Sequence, residues 1–540
     1  MQRQLGMDNL PGKLFLVWLL ATPAACGIGW WLTHRYRRAL VALMRTPRTT
    51  PAAVDAALCT QQATPALSTG QPPALPTRAL WRRAELRLIA ALAAVSALMA
   101  LTHGALTHWQ LIDSGWSWPR MLLLSLLFFW PLLPAVGALR RWSRARLLTA
   151  LALWLVGAWS VALWRSYETQ SPGMVALWLA FTVLPPTLAF VLLTLRNTRA
   201  AAPWLWPPLA LLVLAGVSGL DVLAWLIRTE SPLVGWLAQW LGAIWAFAAF
   251  VVVAVALAWW PVQRFARALA RAYARRWVSD LVVLFFAAWA LTLSFDALAN
   301  GVSSLLPLLW IPLALVVAAR RQATQQAEPT QAPTLLVLRV FQQDANVTAL
   351  FDDVVERWRA VGNTVLIAGT DLVADTLDAA DLFDFLDGRL AARFVHDSAE
   401  LPQRLAAFDW TPDAEGRYRV NECYCHDSAW QPALLALLQR ADAVLMDLRG
   451  FQAHNAGCRF ELGAIGRAST VQRAVVLTDE RTDLATARAE AGSAATDRFV
   501  WIALAGATSR RQAARRVMDA LSGADDGAAV GEHGLKTRTA

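Results

Sequence analysis

The stretch ADAVLMDLRGFQAHNAGCRFELGAIG, residues 441–466, indicates the fold of the C-terminal third of the chain. It begins with the apolar run Ala443–Leu448, which is typical of a strand buried on both faces. A polar loop follows, and small and apolar residues at helical spacing then predict a helix over Asn455–Arg467. A buried strand, a loop and a helix in succession form the repeating unit of a parallel sheet.

Four further runs have the same apolar composition: Thr334–Phe341, Thr364–Gly369, Ala474–Asp479 and Phe499–Leu504. Helical patterns lie between or after them, at Val347–Ala360, Ser428–Arg440 and Ser509–Leu521. The alternation predicts an α/β domain over residues 334–523, with a five-stranded parallel sheet covered by helices on both faces. The connection from the second strand to the third is long and must hold extra helices.

The chain before this domain has the composition of a membrane protein. Overall, 57% of the residues are hydrophobic and 16% are charged, whereas soluble domains average about 45–50% and about 25%. Apolar runs of about 20 residues, enough to cross a bilayer core, recur before Ala332. We predict a polytopic α-helical membrane domain over residues 1–320 and a linker over 321–333. Nine spans are expected, at Leu14–Leu32, Leu88–His108, Met121–Leu139, Leu147–Trp164, Met174–Leu195, Trp204–Ile227, Leu233–Trp260, Val278–Leu298 and Val302–Ala319.

The arginines predict how these spans are oriented. Connections after the odd-numbered spans hold 22 arginines, and those on the other side hold only Arg120, Arg165 and Arg228. Basic loops remain in the cytoplasm, so the N-terminus should lie outside and the α/β domain in the cytoplasm. The net charge of +10 therefore indicates membrane topology and contact with lipids, and no nucleic acid is expected as a partner.

Two other segments carry a prediction from composition. The arginine-rich stretch VQRFARALARAYARRW, residues 262–277, is either a basic amphipathic helix on the membrane surface or a topology signal alone. The tail, residues 524–540, should be disordered. Arginine replaces lysine almost throughout, a coding bias typical of GC-rich bacteria, so a bacterial inner membrane is the expected location.

Carboxylates within the predicted spans raise the alternative of a membrane transporter. Asp221 lies inside the sixth span without an evident partner, and Asp280 and Asp296 lie near the ends of the eighth, where we expect them to be interfacial. A charged group in hydrocarbon is costly and points to a function by default. Pro185 and Pro186 also interrupt the fifth span.

The candidate site lies in the α/β domain. Ligands of open parallel sheets bind beyond the carboxyl ends of the strands, where Asp344, Asp371 and Asp447 follow the first three strands. Glu461 belongs to the next helix, and its neighbours three and four residues away are Gly457, Cys458, Ala464 and Ile465. No basic partner lies among them, so Glu461 either pairs with a distant arginine, such as Arg449 or Arg473, or faces a cleft.

The loop before that helix adds groups that suit an anionic ligand. Arg449, His454 and Asn455 lie there, at the start of a helix whose N-terminus favours phosphate. Nearby in sequence, NECYCHD (residues 421–427) brings two cysteines, a histidine and an aspartate together, but its spacing is not typical of zinc. We therefore predict no metal site and expect Asp427 to cap the following helix.

The segment RGFQAHNAGCRFELGAI resembles the third-strand and helix motif of TIR (Toll/interleukin receptor) domains. Phe451, Asn455, Cys458, Glu461 and Leu462 take the motif's places, while Gly457 stands where the family has tryptophan. The continuation FELGAIGRASTVQRAVVL is similar to nucleoside 2-deoxyribosyltransferases. Either resemblance implies a flavodoxin-like sheet and a glutamate that cleaves an N-glycosidic bond.

The resemblance assigns expected roles to these residues. Glu461 would attack or stabilise the oxocarbenium carbon of a ribose. Asp447 would bind a sugar hydroxyl or raise the pKa of Glu461 by like-charge proximity, and Arg449 would bind phosphate. Phe451, Asn455, Asp344 and Asp371 would complete the binding site. No cofactor is expected, and NAD is a possible substrate.

Two readings of the α/β domain stay open. In the first, it binds a nucleotide-type ligand and assembles in a signalling or defence protein, with a homo-oligomer as the expected form of assembly. In the second, it cleaves NAD or a nucleoside through Glu461. Transport by the membrane domain is the third alternative.

Overall fold

A computed structural model describes residues 10–45, 73–110, 115–166, 171–195, 198–327, 332–338, 345–368, 379–395, 397–426, 429–492, 498–504 and 509–522. The predicted tail, part of the predicted linker and three acidic residues of interest, Asp344, Asp371 and Asp427, lie outside these ranges. The described chain contains a helical domain, Leu10–Ala327, and a sheet domain, Thr334–Ser522.

The helical domain consists of eleven α-helices and one 3-10 helix in the described ranges. They are α1 (Leu10–Arg45), α2 (Arg78–Gln110), α3 (Trp118–Leu127), α4 (Leu132–Leu139), α5 (Arg144–Ser166), α6 (Pro172–Leu193), α7 (Ala202–Arg228), α8 (Pro232–Leu241), α9 (Ala243–Ala274), α10 (Asp280–Asn300), the 3-10 helix Val302–Leu309 and α11 (Trp310–Ala327).

Within the described residues, nine helical stretches are long and apolar enough to cross a membrane. Helices α3 and α4 together form one of them, Trp118–Leu139, and the 3-10 helix with α11 forms another, Val302–Gln325. Each stretch overlaps one predicted span, but the seventh begins at Ala243 and not at Leu233, because Leu233 belongs to the separate helix α8. The helical domain is therefore compatible with a multi-pass membrane protein.

The arginine-rich segment does not form a separate surface helix. Most of it, Val262–Ala274, continues α9 without interruption, and the last residues form a turn that leads into α10. A separate amphipathic helix would need a break after the apolar stretch, and Pro261 lies inside α9 without ending it. Of the two alternatives, the separate surface helix is therefore not what the structure has, and the topology signal stays a prediction.

The sheet has seven parallel strands, and the prediction of five was therefore incomplete. The strands are β1 (Thr334–Leu338), β2 (Asn363–Ala368), β3 (Phe394–Val395), β4 (Val420–Cys425), β5 (Ala443–Asp447), β6 (Arg473–Thr478) and β7 (Phe499–Ala503), in the order β3-β4-β2-β1-β5-β6-β7. If the five predicted strands are numbered along the chain, their order across the sheet is 2-1-3-4-5, which is the order of flavodoxin-like sheets. The two missed strands, β3 and β4, extend the β2 edge.

Helices cover both faces of the sheet. They are α12 (Ala345–Trp358), α13 (Ala379–Leu386), α14 (Leu401–Ala406), α15 (Trp430–Leu438), α16 (Ala456–Arg467), α17 (Leu484–Ala491) and α18 (Arg510–Leu521). Leu335 and Val337 of β1 pack with α12 and α18, whereas Leu336 and Leu338 pack with α15 and α16. This alternation places β1 in the middle of the core, because successive side chains of a strand point to opposite faces.

The sheet domain is docked on the helical domain through the long connection between β2 and β5. We call residues 379–425 of this connection the docking segment. Its Phe383 packs edge-on against Trp204 and Tyr273. The guanidinium of Arg419 lies 3.9 Å from the centroid of the Tyr273 ring. Tyr36 of α1 reaches Tyr424 of β4, with their hydroxyl oxygens 3.3 Å apart.

Polar contacts at the turn between α9 and α10 strengthen the docking. The backbone N–H of Ala414 donates to the carbonyl of Arg276 at 2.9 Å, and Arg276 also forms an ion pair with Asp409. Ser279 donates to Glu415, whose pKa burial and the neighbouring Asp413 raise to about 8. Residues 409–419 lead into the start of β4, so these contacts lie at the amino edge of the sheet.

We expect Arg419→Met to weaken the docking. Arg419 is buried, forms an ion pair with Asp413 at 2.8 Å and stacks on Tyr273. Removing one partner of a buried ion pair costs about 3 kcal/mol or more, so thermal unfolding of the full chain in detergent should begin at lower temperature, with earlier proteolysis of the sheet domain. Arg389→Met is the matched control, because its ion pairs in the same segment are exposed. Equal unfolding of the two variants would contradict this role of Arg419.

Candidate functional site

The candidate site lies at the carboxyl edge of the sheet, where the chain leaves β5. In this sheet β1 pairs with β2 on one side and β5 on the other, so the strand order reverses there. Such a switch point leaves a crevice beyond the strand ends, because the connections on its two sides turn in opposite directions. Asp447 is the last residue of β5, and α16 begins at Ala456.

Asp447 holds Arg449 in a two-point ion pair. Both the Oδ1–Nε and the Oδ2–Nη2 distances are 2.9 Å, and the backbone N–H of Arg449 donates to Oδ1 at 3.2 Å. Asp447 is buried, with 4% of its surface exposed. The pair fixes the orientation of the guanidinium beside the N-terminus of α16 and compensates the carboxylate charge.

Glu461 lies in the second turn of α16 and is partly buried. In the described ranges no lysine, arginine or histidine forms an ion pair with its carboxylate. Of the two arginines considered as partners, Arg449 binds Asp447, and Arg473 donates to the carbonyl of Ala520 at 3.2 Å. Burial raises the pKa of Glu461 to about 7. Burial, and not proximity to Asp447, is therefore the cause of this raised pKa.

Cys458, one turn before Glu461, lies between the two acids and the core. Burial, the charge of Glu461 and, to a lesser extent, the charge of Asp447 raise the pKa of its thiol to about 12. A thiol with so high a pKa stays protonated at neutral pH and is a poor nucleophile. Cys458 thus packs as a small apolar residue, and Glu461 is the ionisable group of this helix with a pKa near neutrality.

Phe451 and Asn455 hold the loop between β5 and α16 in shape. Phe451 is fully buried in the core below the loop, and its carbonyl accepts from the N–H of Asp483 at 2.9 Å. The Oδ1 of Asn455 accepts from the N–H of Gln452 at 2.8 Å. Neither side chain is presented to the carboxyl edge as a free binding group, while His454 between them is exposed.

Asp479, at the end of β6, is a site residue that the sequence analysis did not single out. Its Oδ1 accepts from the N–H of Gly450 at 2.9 Å and from Thr482 Oγ1 at 2.8 Å. Burial opposes ionisation, but these hydrogen bonds outweigh it and lower the pKa of Asp479. Gly450 has a φ of 74°, a conformation that favours glycine. Asp479 therefore anchors the turn that follows Arg449. Its position at the end of a predicted strand is the feature of the sequence from which its place at the site could have been predicted.

Trp430, the first residue of α15, lies beside the N-terminal half of α16. Its ring meets that of Phe460 edge-on, with centroids 5.6 Å apart. A Cβ at Gly457 would lie 4.0 Å from the Trp430 ring and would meet no closer atom. Position 457 thus faces an aromatic ring of the neighbouring helix across free space.

A surface depression of about 280 Å³ lies on a different side of α16. Its lining includes Arg459 and Glu490, which form an ion pair, and Phe460 and Arg467. Glu461 does not line this depression. Ala456, the first residue of α16, also lines it, so the depression extends along α16 from the N-terminus of this helix.

The cysteines of NECYCHD belong to β4. Cys423 and Cys425 are buried on one face of the strand, with their sulfur atoms 3.5 Å apart. Among the residues that the structure describes, no group of three or more His, Cys, Asp or Glu side chains could hold a metal ion.

Neither a scan against protein-family models nor searches of curated proteins and of solved structures find a match to this chain.

The raised pKa of Glu461 predicts a stability gain on Glu461→Gln above neutral pH. The unperturbed pKa is 4.5 and the value in the folded protein is about 7, so the folded state binds the proton more tightly. The free energy of unfolding should fall as pH rises from about 4.5 to about 7, and the penalty stays present above that range.

At pH 8 the Gln variant should be more stable by about 1–3 kcal/mol, and at pH 4 the two proteins should unfold alike. Thermal unfolding of the full chain at both pH values tests this. Glu490→Gln is the control, because Glu490 is ion-paired with Arg459. A Gln variant less stable than wild type at pH 8 would show that Glu461 has a stabilising partner.

Proposed function

We propose that this protein is a multi-pass inner-membrane protein whose cytoplasmic, TIR-like domain binds a nucleotide-type ligand at the carboxyl edge of its sheet. The observation that carries the proposal is Glu461, a partly buried carboxylate without a basic partner in the described ranges, next to a switch point. A protein keeps such a group at a cost in stability when function needs it. Signalling from the membrane is the role that this arrangement fits.

Arg449 suits the recognition of a phosphate group. Its guanidinium is held by Asp447 at the start of α16, where backbone N–H groups favour an anion. A preoriented guanidinium loses less conformational freedom when it binds, because the ion pair has already restricted its rotamers. Asp447 therefore acts as a positioning residue for Arg449 in this proposal.

The raised pKa of Glu461 favours cleavage of an N-glycosidic bond as the specific chemistry. When the C1′–N bond breaks, positive charge develops at C1′ and the base leaves with the bonding electrons. The ionised form of Glu461 would stabilise or attack C1′, and water would then supply the hydroxyl group at that carbon. A pKa near 7 makes a carboxylate a stronger base than an ordinary glutamate and keeps it partly ionised at neutral pH.

The docked arrangement supports a link between the membrane helices and this site. The connection between the two domains is short, because α11 ends at Ala327 and β1 begins at Thr334. Contacts from Tyr36 and Tyr273 to the docking segment join the two domains as well. A rearrangement or self-association of the helices would therefore move the sheet domain too.

Base release tests the enzymatic part of the proposal. The full-length protein in detergent, incubated with NAD or with deoxynucleosides, should release the free base, and Glu461→Gln should reduce the rate by a factor of about 100 or more. The rate should rise as pH increases to about 7 and then level off, because the ionised carboxylate is the active form. Glu490→Gln should retain the wild-type rate. Equal rates in the wild type and Glu461→Gln would exclude catalysis by Glu461.

Ligand binding tests the proposal independently of catalysis. Arg449→Met should weaken binding of NAD by a factor of about 10 to 100, because a charge-assisted hydrogen bond contributes about 1.5–3 kcal/mol. Binding of a nucleoside without phosphate should be unchanged in the same variant. Isothermal titration of the full-length protein measures both affinities, and an equal loss for the two ligands would show that Arg449 does not recognise phosphate.

A further inference from the structure

Two ionisable side chains contact each other inside the helical domain, which does not contain the candidate site. The Nε2 atom of His103 in α2 lies 3.1 Å from the Oδ2 atom of Asp296 in α10. The hydroxyl of Ser304, in the 3-10 helix, donates to the same oxygen at 2.9 Å. The exposed fractions are 0% for His103 and 4% for Asp296. Asp296 is therefore enclosed by three elements of the helical domain.

The surroundings of this pair are apolar. The ring of Phe128 meets the imidazole edge-on at 4.1 Å between centroids. Buried side chains of α2, α4 and α10 pack in one cluster around the contact between these helices: Leu88, Leu92, Met99, Ala100, Ala135, Leu281, Phe285, Trp289 and Leu293. A bare carboxylate is costly in such surroundings. An imidazole and a carboxylate carry no net charge when they share one proton, and apolar surroundings favour that state.

Further buried polar atoms extend from the pair along the helices. The Nε2 atom of His103 is close to Asp296 but not aligned with it as a hydrogen bond, and among the described residues Nδ1 of His103, the hydroxyls of Ser96 and Thr107 and the indole nitrogen of Trp289 have no hydrogen-bond partner. Ser96 and Thr107 lie seven residues before and four after His103, on the same face of α2. Trp289 lies seven residues before Asp296. The polar face of α2 is about 16 Å long, at about 1.5 Å per residue.

We propose that His103, Asp296 and Ser304 form a proton-binding site within the helical domain. Buried polar groups without a protein partner bind water or a ligand, and the polar face of α2 supplies such groups along a path to the pair. Uptake of one proton from water changes the charge of the pair from −1 to 0. No other reactant is needed.

Further charged groups belong to the neighbouring elements. On the elements packed around it, within the described ranges, they are Arg78, Arg82, Arg83, Glu85, Arg87 and His108 of α2, Arg120 of α3, Asp280 of α10, and Arg320 and Arg321 of α11. His108 is one turn further along α2, and its Nε2 accepts from the N–H of Ser117 at 2.9 Å. Asp280 and the arginines of α2 and α11 lie at the opposite ends of their helices. The carboxylate in contact with His103 is that of Asp296.

Asp221, the acid that the sequence alone favoured for transport, does not offer a comparable site. It forms an ion pair with Lys13, and 41% of its side chain is exposed. The prediction that Asp221 lacks a partner is thus wrong. Its charge is already compensated, so it serves as a matched control for Asp296.

Loss of the proton should loosen the contact between the helices. The carboxylate of Asp296 would then have no positive partner in His103, and the same oxygen holds the 3-10 helix through Ser304. Residues 302–309 would become more mobile, because a buried uncompensated charge favours access of water. The site thereby links proton occupancy to the packing of α2, α10 and the start of the ninth apolar stretch.

Infrared difference spectroscopy tests the site in full-length protein reconstituted in lipid nanodiscs. Buffer exchange between about pH 5 and about pH 8 should produce carboxyl and imidazole bands in the wild type. Asp296→Asn and His103→Gln should each remove the bands of both groups, since each variant breaks the shared proton site. Asp221→Asn should keep them. Persistence of the bands in Asp296→Asn would overturn the proposal, and so would their absence from the wild type.

A third variant keeps the test decisive if either substitution prevents folding. Ser304→Ala retains both titratable groups and removes one hydrogen bond to the charged carboxylate, so the midpoint of the titration should move to higher pH. Hydrogen exchange over residues 302–309, corrected for the intrinsic pH dependence, should follow the same midpoint in the wild type. An unchanged midpoint in Ser304→Ala would refute the site. None of these readouts depends on base release.

Discussion

The site depends on one carboxylate that the fold leaves without a counter-charge. Glu461 is shielded from water, and no described basic side chain forms an ion pair with it, so burial raises its pKa to about 7. The neighbouring acid, Asp447, has a compensated charge, because Arg449 binds both of its carboxylate oxygens. Two acids near each other thus have distinct electrostatic environments, one compensated and one not. Pairs of this kind divide acid–base and binding roles between similar side chains.

The backbone around these acids explains how the difference is maintained. The turn after Arg449 is fixed by Asp479 through the N–H of Gly450, and Phe451 is buried below it. Arg449 therefore stays with Asp447 and cannot swing toward α16 without breaking a two-point ion pair. The fixed turn therefore keeps the guanidinium of Arg449 on Asp447 and not on Glu461.

The sequence predicted those parts of the fold that depend on local apolar patterns. All nine apolar stretches and five strands follow from hydropathy, because a buried helix or strand must be apolar along its length. Strand β4 was missed since it contains Asn421 and Glu422, whose polar groups are satisfied by tertiary partners. Asn421 exchanges hydrogen bonds with the backbone of Asp409, and Glu422 accepts from Tyr424. No sequence pattern within the strand predicts those partners.

The same limit applies to the charged groups. The strand-end rule placed Asp447 at the site, and helical spacing showed that Glu461 had no partner in its own helix. Which arginine pairs with which acid depends on distances between residues far apart in the chain, as with Arg419 and Tyr273 or with Lys13 and Asp221. The enclosure of Asp296 could not be predicted for the same reason, since its position near a span end says nothing about the helices that pack around it.

The two domains also meet close to the site. Tyr36 of α1 touches Tyr424 near the carboxyl end of β4, and the chain then passes through His426, whose carbonyl accepts from the N–H of Ala429 at 2.9 Å. Trp430 follows immediately and packs on α16 beside the turn that carries Glu461. Packed cores shift between discrete arrangements and deform little. A displacement of α1 against the sheet would therefore reach α16 through these contacts, whereas a flexible tether would dissipate it.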